Sequence, residues 1–306
     1  MPHIRPNIWI FDFHGEYIDL IDNQFKVIAP GSSDAPLSLN IFKPFKESPE
    51  TYSTFLSNLL IETFKTTDSP FSPQMERLIH LSIYETVNYS EYRTPYFFIY
   101  NLWHLSQDLS SDMPSAIQSF YGIINRIRTL FTGVSRQVFW VLKSNINIAE
   151  LINRDVIFDL SYLTRKGALK RDLMVLVNVI LRYAISEFLS KGISVDDELK
   201  LFIILDEGRF LVPWRRRESA SDTTALEDFA ILSRKYGLAL CTIAQSVSSI
   251  SSDIVENSGT IFILGGDPPD SERNLFNDTL LRYLSIMPPR EAFVRLTTYP
   301  SLIHVR

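Results

Sequence analysis

The sequence holds a single cysteine, Cys241, among 306 residues. One thiol excludes an internal disulfide and a cysteine-based zinc cluster, and it fits a reducing compartment. No apolar run is long enough to cross a bilayer. The best candidate, 173–189, is interrupted by Arg182 and Glu187 and has the pattern of an amphipathic helix. The opening MPHIRPNIWIFDF lacks the form of a signal peptide, because a strand pattern begins almost at once. These absences set the expectation of a cytoplasmic protein with no membrane partner. Internal repeats and low-complexity tracts are also missing. So is any excess of positive charge: the formal net charge is -5. That neither requires nor excludes a nucleic-acid partner, since a local basic patch is enough to hold phosphates. With 45% hydrophobic and 21% charged residues, the chain is an ordinary globular one of one large or two ordinary domains.

What is present is organised around 201–210, LFIILDEGRF. An unbroken apolar run suits a strand buried on both faces of a parallel sheet. Asp206 and Glu207 follow it, where open α/β sheets place their ligands. This is the form of a Walker B element, in which the first carboxylate holds Mg²⁺ and the second orients or deprotonates the attacking water. A buried strand that ends in a solvated Asp-Glu turn has the same form, so the neighbours must decide.

Strand patterns at 7–12, 25–28, 156–160, 201–205, 238–243 and 260–264 alternate with helical ones at 170–191, 223–235 and 250–256. Residues 37–42 alternate and stop at Pro44, and 292–296 and 302–305 read as closing strands. The spacing predicts βαβ units and one largely parallel sheet that includes the strand at Thr260. Between them, 48–131 repeats apolar residues at helical spacing, with breaks expected at Pro95 and Pro114. The predicted architecture is therefore α/β: a mostly parallel sheet flanked by helices (1–47 and 132–306) with an all-helical inserted subdomain (48–131).

Asp12 with Glu16, Asp206 with Glu207, and Gln245 all stand just past strand ends, so a parallel sheet brings them to one edge. A strand bearing Asp-Glu beside one ending in Gln is the arrangement of a RecA-like ATPase, where Gln reads the γ-phosphate. His14 reads as a turn residue rather than a metal ligand, with no second ligand near it in sequence.

In these motifs the chain resembles the HerA–FtsK superfamily of DNA-pumping P-loop ATPases, closest to its HerA-like branch. The segments that carry the resemblance are IWIFDFHGEY, LSLNIFKP with Asn40, VIFDLSYL, LFIILDEGRF, ILSRKYGLALCTIAQ, REAFVRL and SLIHVR. Gly208-Arg209 departs from the Asp-Glu-Ala-His usual in that family. The resemblance implies a RecA-like core, ATP and Mg²⁺ as cofactors, DNA as partner, and a homo-oligomer in the form of a hexameric ring, with a nuclease as a further partner. It implies Glu207, Gln245, Arg234 and Glu16 as catalytic residues, Arg234 acting across a subunit interface. Asp206 and Asp12 would be cofactor-binding, with Asp206 on Mg²⁺. Arg215, Arg216 and Arg217, beside Trp214, could contact DNA phosphates, although a solvated loop has the same composition. A non-hydrolysing DNA-binding or assembly subunit, and a packaging or conjugation ATPase, are the rival functions.

The phosphate-cradling motif G-x-x-x-x-G-K-[ST] does not occur in the 306 residues. The resemblance would place it one helix upstream of the strand at Asn7, so either a longer gene or a degenerate member is expected. Phosphoryl transfer needs the β- and γ-phosphates held and their charge neutralised. Asp206 and Glu207 add negative charge instead. The 306-residue polypeptide, incubated with Mg-ATP and DNA, is therefore expected to show no turnover above background. Turnover that disappears in Glu207→Gln would overturn this.

Overall fold

The computed structural model describes residues 5–20, 24–65, 70–111, 115–192, 198–208, 236–246, 250, 252–266, 273, 278–297 and 302–305. Five strands form a wholly parallel sheet: β1 (Asn7–Asp12), β2 (Lys26–Ile28), β3 (Val156–Asp159), β4 (Leu201–Leu205) and β5 (Leu238–Thr242). Their order is β2-β3-β1-β4-β5, which puts the first strand at the centre. Asp12 pairs in register with Asp159, and Phe11 with Leu205, so the C-terminal ends of β1, β3 and β4 are level. The apolar runs are explained by burial on both faces. Every residue of β3 is buried, and Trp9, Ile10 and Phe11 of β1 are too. Phe11 stacks on Phe158 at 4.6 Å, and the buried Trp9 indole donates to the Leu151 carbonyl at 3.1 Å.

Helices fill the stretch between β2 and β3: α1 (Pro49–Phe64), α2 (Pro73–Asn88), α3 (Pro95–Asp108) and α4 (Ala116–Ile127), then the short α5 (Arg136–Phe139) and α6 (Ile148–Leu151). The first three begin alike. Ser48, Ser72 and Thr94 each cap a helix by accepting the amide three residues on, and a proline follows at the first helical position. Pro95 thus opens a helix, whereas the sequence pattern made it a break. Helix α3 has no clean apolar stripe because much of its surface is exposed aromatic. The insert packs into the core of the sheet. Its Tyr52, Leu60, Leu78 and Phe98 belong to the same continuous core as Trp9 and Phe158.

After β3 come α7 (Ser161–Arg165) and α8 (Lys170–Lys191). The amphipathic expectation for α8 is corrected. Leu173, Val175, Leu176, Val177, Val179, Ile180 and Leu181 are all buried, because α8 is enclosed by the insert and the rest of the core. It is the one described helix long and apolar enough to cross a membrane, and most of it is buried inside the protein. Its two interior charges are paired. Arg182 holds Glu47 through a two-point contact at 2.7 and 3.1 Å, and Glu187 meets Lys46 at 2.6 Å.

Two strand expectations are also corrected. The strand at Thr260 (β6, Thr260–Leu264) is not in the parallel sheet. It pairs antiparallel with β7 (Ala292–Leu296), which pairs antiparallel with β8 (Ile303–Val305). Alternate residues of β6 are exposed, which marks a one-sided antiparallel strand rather than an enclosed parallel one. The alternating segment 37–42 forms no strand. Asn40 holds it instead, donating to the carbonyls of Arg93 and Leu142 at 2.7 and 3.0 Å and accepting the Phe42 amide at 3.0 Å. The expected helix 223–235 lies outside the described residues.

Asn40 is buried, and its side chain ties the insert to the loop before α6. Asn40→Ala leaves two carbonyls and one amide without partners. The expected cost is about 2–4 kcal/mol, from the roughly 1–3 kcal/mol of each buried orphan group partly relieved by water. Urea unfolding should show a lower midpoint at unchanged slope.

Candidate functional site

The site is built at the C-terminal edge of the parallel sheet. Asp12 ends β1 fully buried, and its carboxylate folds the next five residues around itself. Oδ1 accepts the amides of His14, Gly15 and Glu16 at 3.1, 2.7 and 3.3 Å, and Oδ2 accepts that of Tyr17 at 3.0 Å. Gly15 sits at φ +79°, and a Cβ there would stand 2.8 Å from the Ser161 hydroxyl, so the turn needs glycine for both conformation and space. Ser161 is itself fixed, donating its amide to Asp159 at the end of β3 at 3.0 Å.

Next to β1, Asp206 donates its amide to the Phe11 carbonyl at 3.3 Å as β4 ends. Glu207 then takes the left-handed conformation, φ +59°, which is costly for a residue with a side chain. The turn is held by Gly208, whose amide donates to the Ile243 carbonyl at 2.7 Å; a Cβ there would meet Thr242 at 3.1 Å. Gly208 therefore lets the β4 turn close onto the end of β5. The bend aims Glu207 back toward the β1 loop, where its Oε1 lies 3.1 Å from His14 Nε2.

The electrostatics are lopsided. Burial pushes the Asp206 carboxyl above its ordinary range, opposed by His14 and reinforced by Asp12, Glu16 and Glu207. The Tyr17 phenol is raised too, by burial first and then by Asp206, Asp12 and Glu16. Cys241 of β5 is half-buried, and burial raises its thiol.

Asp206, Glu207 and Glu16 are thus gathered at one place, as the sequence predicted. Gln245 stands three residues beyond β5 on the same edge, with its side chain exposed. Asp12 stands on the same edge; both of its oxygens are engaged by its own loop and it has no exposed surface, so it organises the site. His14 is a turn residue as expected, but it is also the partner of Glu207, a contact between residues far apart in the chain that no local pattern could announce. Arg209, Arg215, Arg216, Arg217 and Arg234 lie outside the described residues. Among the described residues no three His, Cys, Asp or Glu side chains converge as a metal-binding group. Mg²⁺ at nucleotide sites needs no such cage, being held by one or two carboxylates together with phosphates and water. A lone, desolvated Asp206 among like charges fits that ion.

The sheet order and the flanking helices define a mostly parallel α/β fold of RecA-like architecture. No protein-family model matches the chain, and no curated protein does. Solved structures do match, among them the bacterial conjugative coupling protein TrwB in its unbound form, at TM-score 0.64 and 13% identity. The match spans 98% of this chain and 78% of that one. VirB4 of Thermoanaerobacter pseudethanolicus matches at TM-score 0.64 and 13% identity, over 98% and 81%. TrwB in complex with ADP and Mg²⁺ matches at 0.60 and 13%, over 98% and 84%. At this identity the likeness is one of fold.

Because the folded-state pKa of Asp206 is raised, its protonated form is the one the fold favours. That contribution is present below the ordinary carboxylate range and is lost as pH rises through the folded value; above it the charged group is a net cost. Asp206→Asn is expected to raise Tm slightly at pH 8 in chelator. The advantage should shrink as the buffer is taken down toward the ordinary carboxylate range. A variant less stable than the parent at pH 8 would contradict the electrostatic account.

Proposed function

We propose that the chain is the core of an ATP-dependent DNA translocase or helicase motor of the HerA type. The observation that supports this most is the meeting of three strand ends: Asp206 and Glu207 from β4, the Asp12-organised loop from β1, and Gln245 beyond β5. In this reading Asp206 holds Mg²⁺, which neutralises charge on the β- and γ-phosphates. Glu207 orients and deprotonates the attacking water, and its strained backbone and the His14 contact hold the carboxylate in place. Gln245, exposed on the same edge, contacts the γ-phosphate, and Glu16 supplies a second carboxylate nearby. Arg234 serves a neighbouring subunit of a hexameric ring, and Arg215, Arg216 and Arg217 contact DNA in its channel. The fold likeness to TrwB and VirB4 supports the motor class and leaves conjugation or packaging as rival processes within it.

A second reading is favoured by one observation. Among the described residues the edge sets Asp206 beside Asp12, Glu16 and Glu207 with His14 alone opposing them, which suits a DNA-binding or assembly subunit that does not hydrolyse ATP.

The two separate in one set of measurements on the natural gene product. The motor reading expects DNA-stimulated ATP hydrolysis, which Glu207→Gln reduces by at least about 100-fold while nucleotide affinity is kept. DNA binding without nucleotide binding would establish the second reading. In either case, changing Arg215, Arg216 and Arg217 to Glu should weaken DNA binding. Its salt dependence should also flatten, by about 0.9 in slope for each phosphate the arginines no longer neutralise.

A further inference from the structure

Helix α3 has two unlike faces. Phe98 and Leu102 are fully buried in the core, while Tyr96, Tyr100 and Trp103 recur at helical spacing on the outside, at 61, 48 and 39% exposure. Tyr89 and Tyr92, in the connection from α2, extend the strip at one end, and Tyr121 of α4 joins it beside Trp103. The rings touch in two groups, one from Tyr89 to His104 and one of Trp103 with Tyr121. Tyr92 lies 4.4 Å from Phe97, Phe97 lies 5.5 and 6.1 Å from Tyr96 and Tyr100, and Tyr100 lies 5.9 Å from His104. Single exposed aromatics are ordinary on a protein surface; a contiguous strip of them marks a contact site.

The charges around the strip narrow the occupant. Across 84–121 there is no lysine, and Arg93 is the single arginine. Its guanidinium turns inward, donating to the Val87 carbonyl at 2.7 Å. Among the described residues of the same stretch, Glu85, Glu91 and Asp108 are acids, and Asp108 pairs with His104 of the same helix at 2.9 Å. A nucleic-acid strand stacks on aromatics only where cations hold its phosphates, and an anionic membrane has the same requirement. A second copy docking through the same face would bring Glu91 and its neighbours against themselves. The complementary partner is cationic. Guanidinium groups stack on aromatic faces and pair with carboxylates at the rim.

We propose that the outer face of the helical insert, made by Tyr89, Tyr92, Tyr96, Tyr100, Trp103 and Tyr121, docks an arginine-bearing segment of another protein. The site is separate from the acidic sheet edge and does not depend on nucleotide chemistry.

The probe is a fluorescein-labelled (Arg-Gly)₆ peptide, with (Lys-Gly)₆ as its comparison, titrated into the whole chain by fluorescence anisotropy. Saturable binding is expected, tighter for the arginine peptide. It should weaken at least tenfold in Tyr96→Ser/Tyr100→Ser/Trp103→Ser, with Tm unchanged because these side chains are outside the core. Should that variant lose stability, Tyr96→Arg at the most exposed ring gives the same test by charge repulsion. Equal binding by parent and variant, or equal binding of the two peptides, would overturn the proposal by reducing it to general attraction toward an acidic protein. It is also overturned if the substitutions instead abolish binding of a 20-nucleotide oligo-dT or of phosphatidylserine vesicles, or turn a parent dimer into a monomer in sedimentation.

Discussion

A carboxylate sealed from water at the end of a central strand is destabilising unless every lone pair finds a donor. Asp12 meets that requirement with four amides of its own loop, and much of the site follows from it. The loop is forced to curl over the end of β1, which sets Gly15 against Ser161 and turns the His14 ring toward β4. Glu207 meets that ring only because its own backbone adopts a left-handed turn, and the turn closes only because residue 208 has no side chain. Three strands are thus locked at their ends by one buried acid, two glycines and one His–Glu contact.

The arrangement is stable in shape and unfavourable in charge. Asp206 is partly desolvated among Asp12, Glu16 and Glu207, with His14 opposing them. A protein selected for stability alone would not gather acids in this way. The cost has a purpose if a divalent cation and its anionic ligand complete the edge.

The insert and the sheet are built as one body. Helix α8 carries the connection. Arg182 reaches the loop before α1 through Glu47, and Tyr183 donates to the Lys43 carbonyl at 2.5 Å and packs beside Tyr52 of α1. These polar ties cross an otherwise apolar core, so they fix the position of the insert more than they add to its stability. The aromatic strip on α3 is therefore presented on a rigid support, facing away from the core that holds it.

The local pattern of residues was enough for β1, β4 and α8, whose limits are read directly from apolar runs and their flanking charges. The convergence of Asp206, Glu207 and Glu16 was legible too, because parallel strands must end on one side. What could not be read locally was pairing across the chain. Thr260–Leu264 is nearly as apolar as Leu201–Leu205, yet one is a half-exposed antiparallel strand and the other lies within the parallel sheet, because their partners differ. Pro95 looks like an interruption until Thr94 is seen capping the helix it opens. Asp12 and His14 look like a ligand and a turn residue. In the fold the first also supports its own loop and the second also meets Glu207, since a carboxylate's surroundings depend on which donors the folded chain brings to it. Sequence alone determined most of the segments that become strands and which residues can carry charge. Tertiary structure decided which of those charges are spent inside the protein and which remain for chemistry, because hydrogen-bond partners far along the chain meet only after folding.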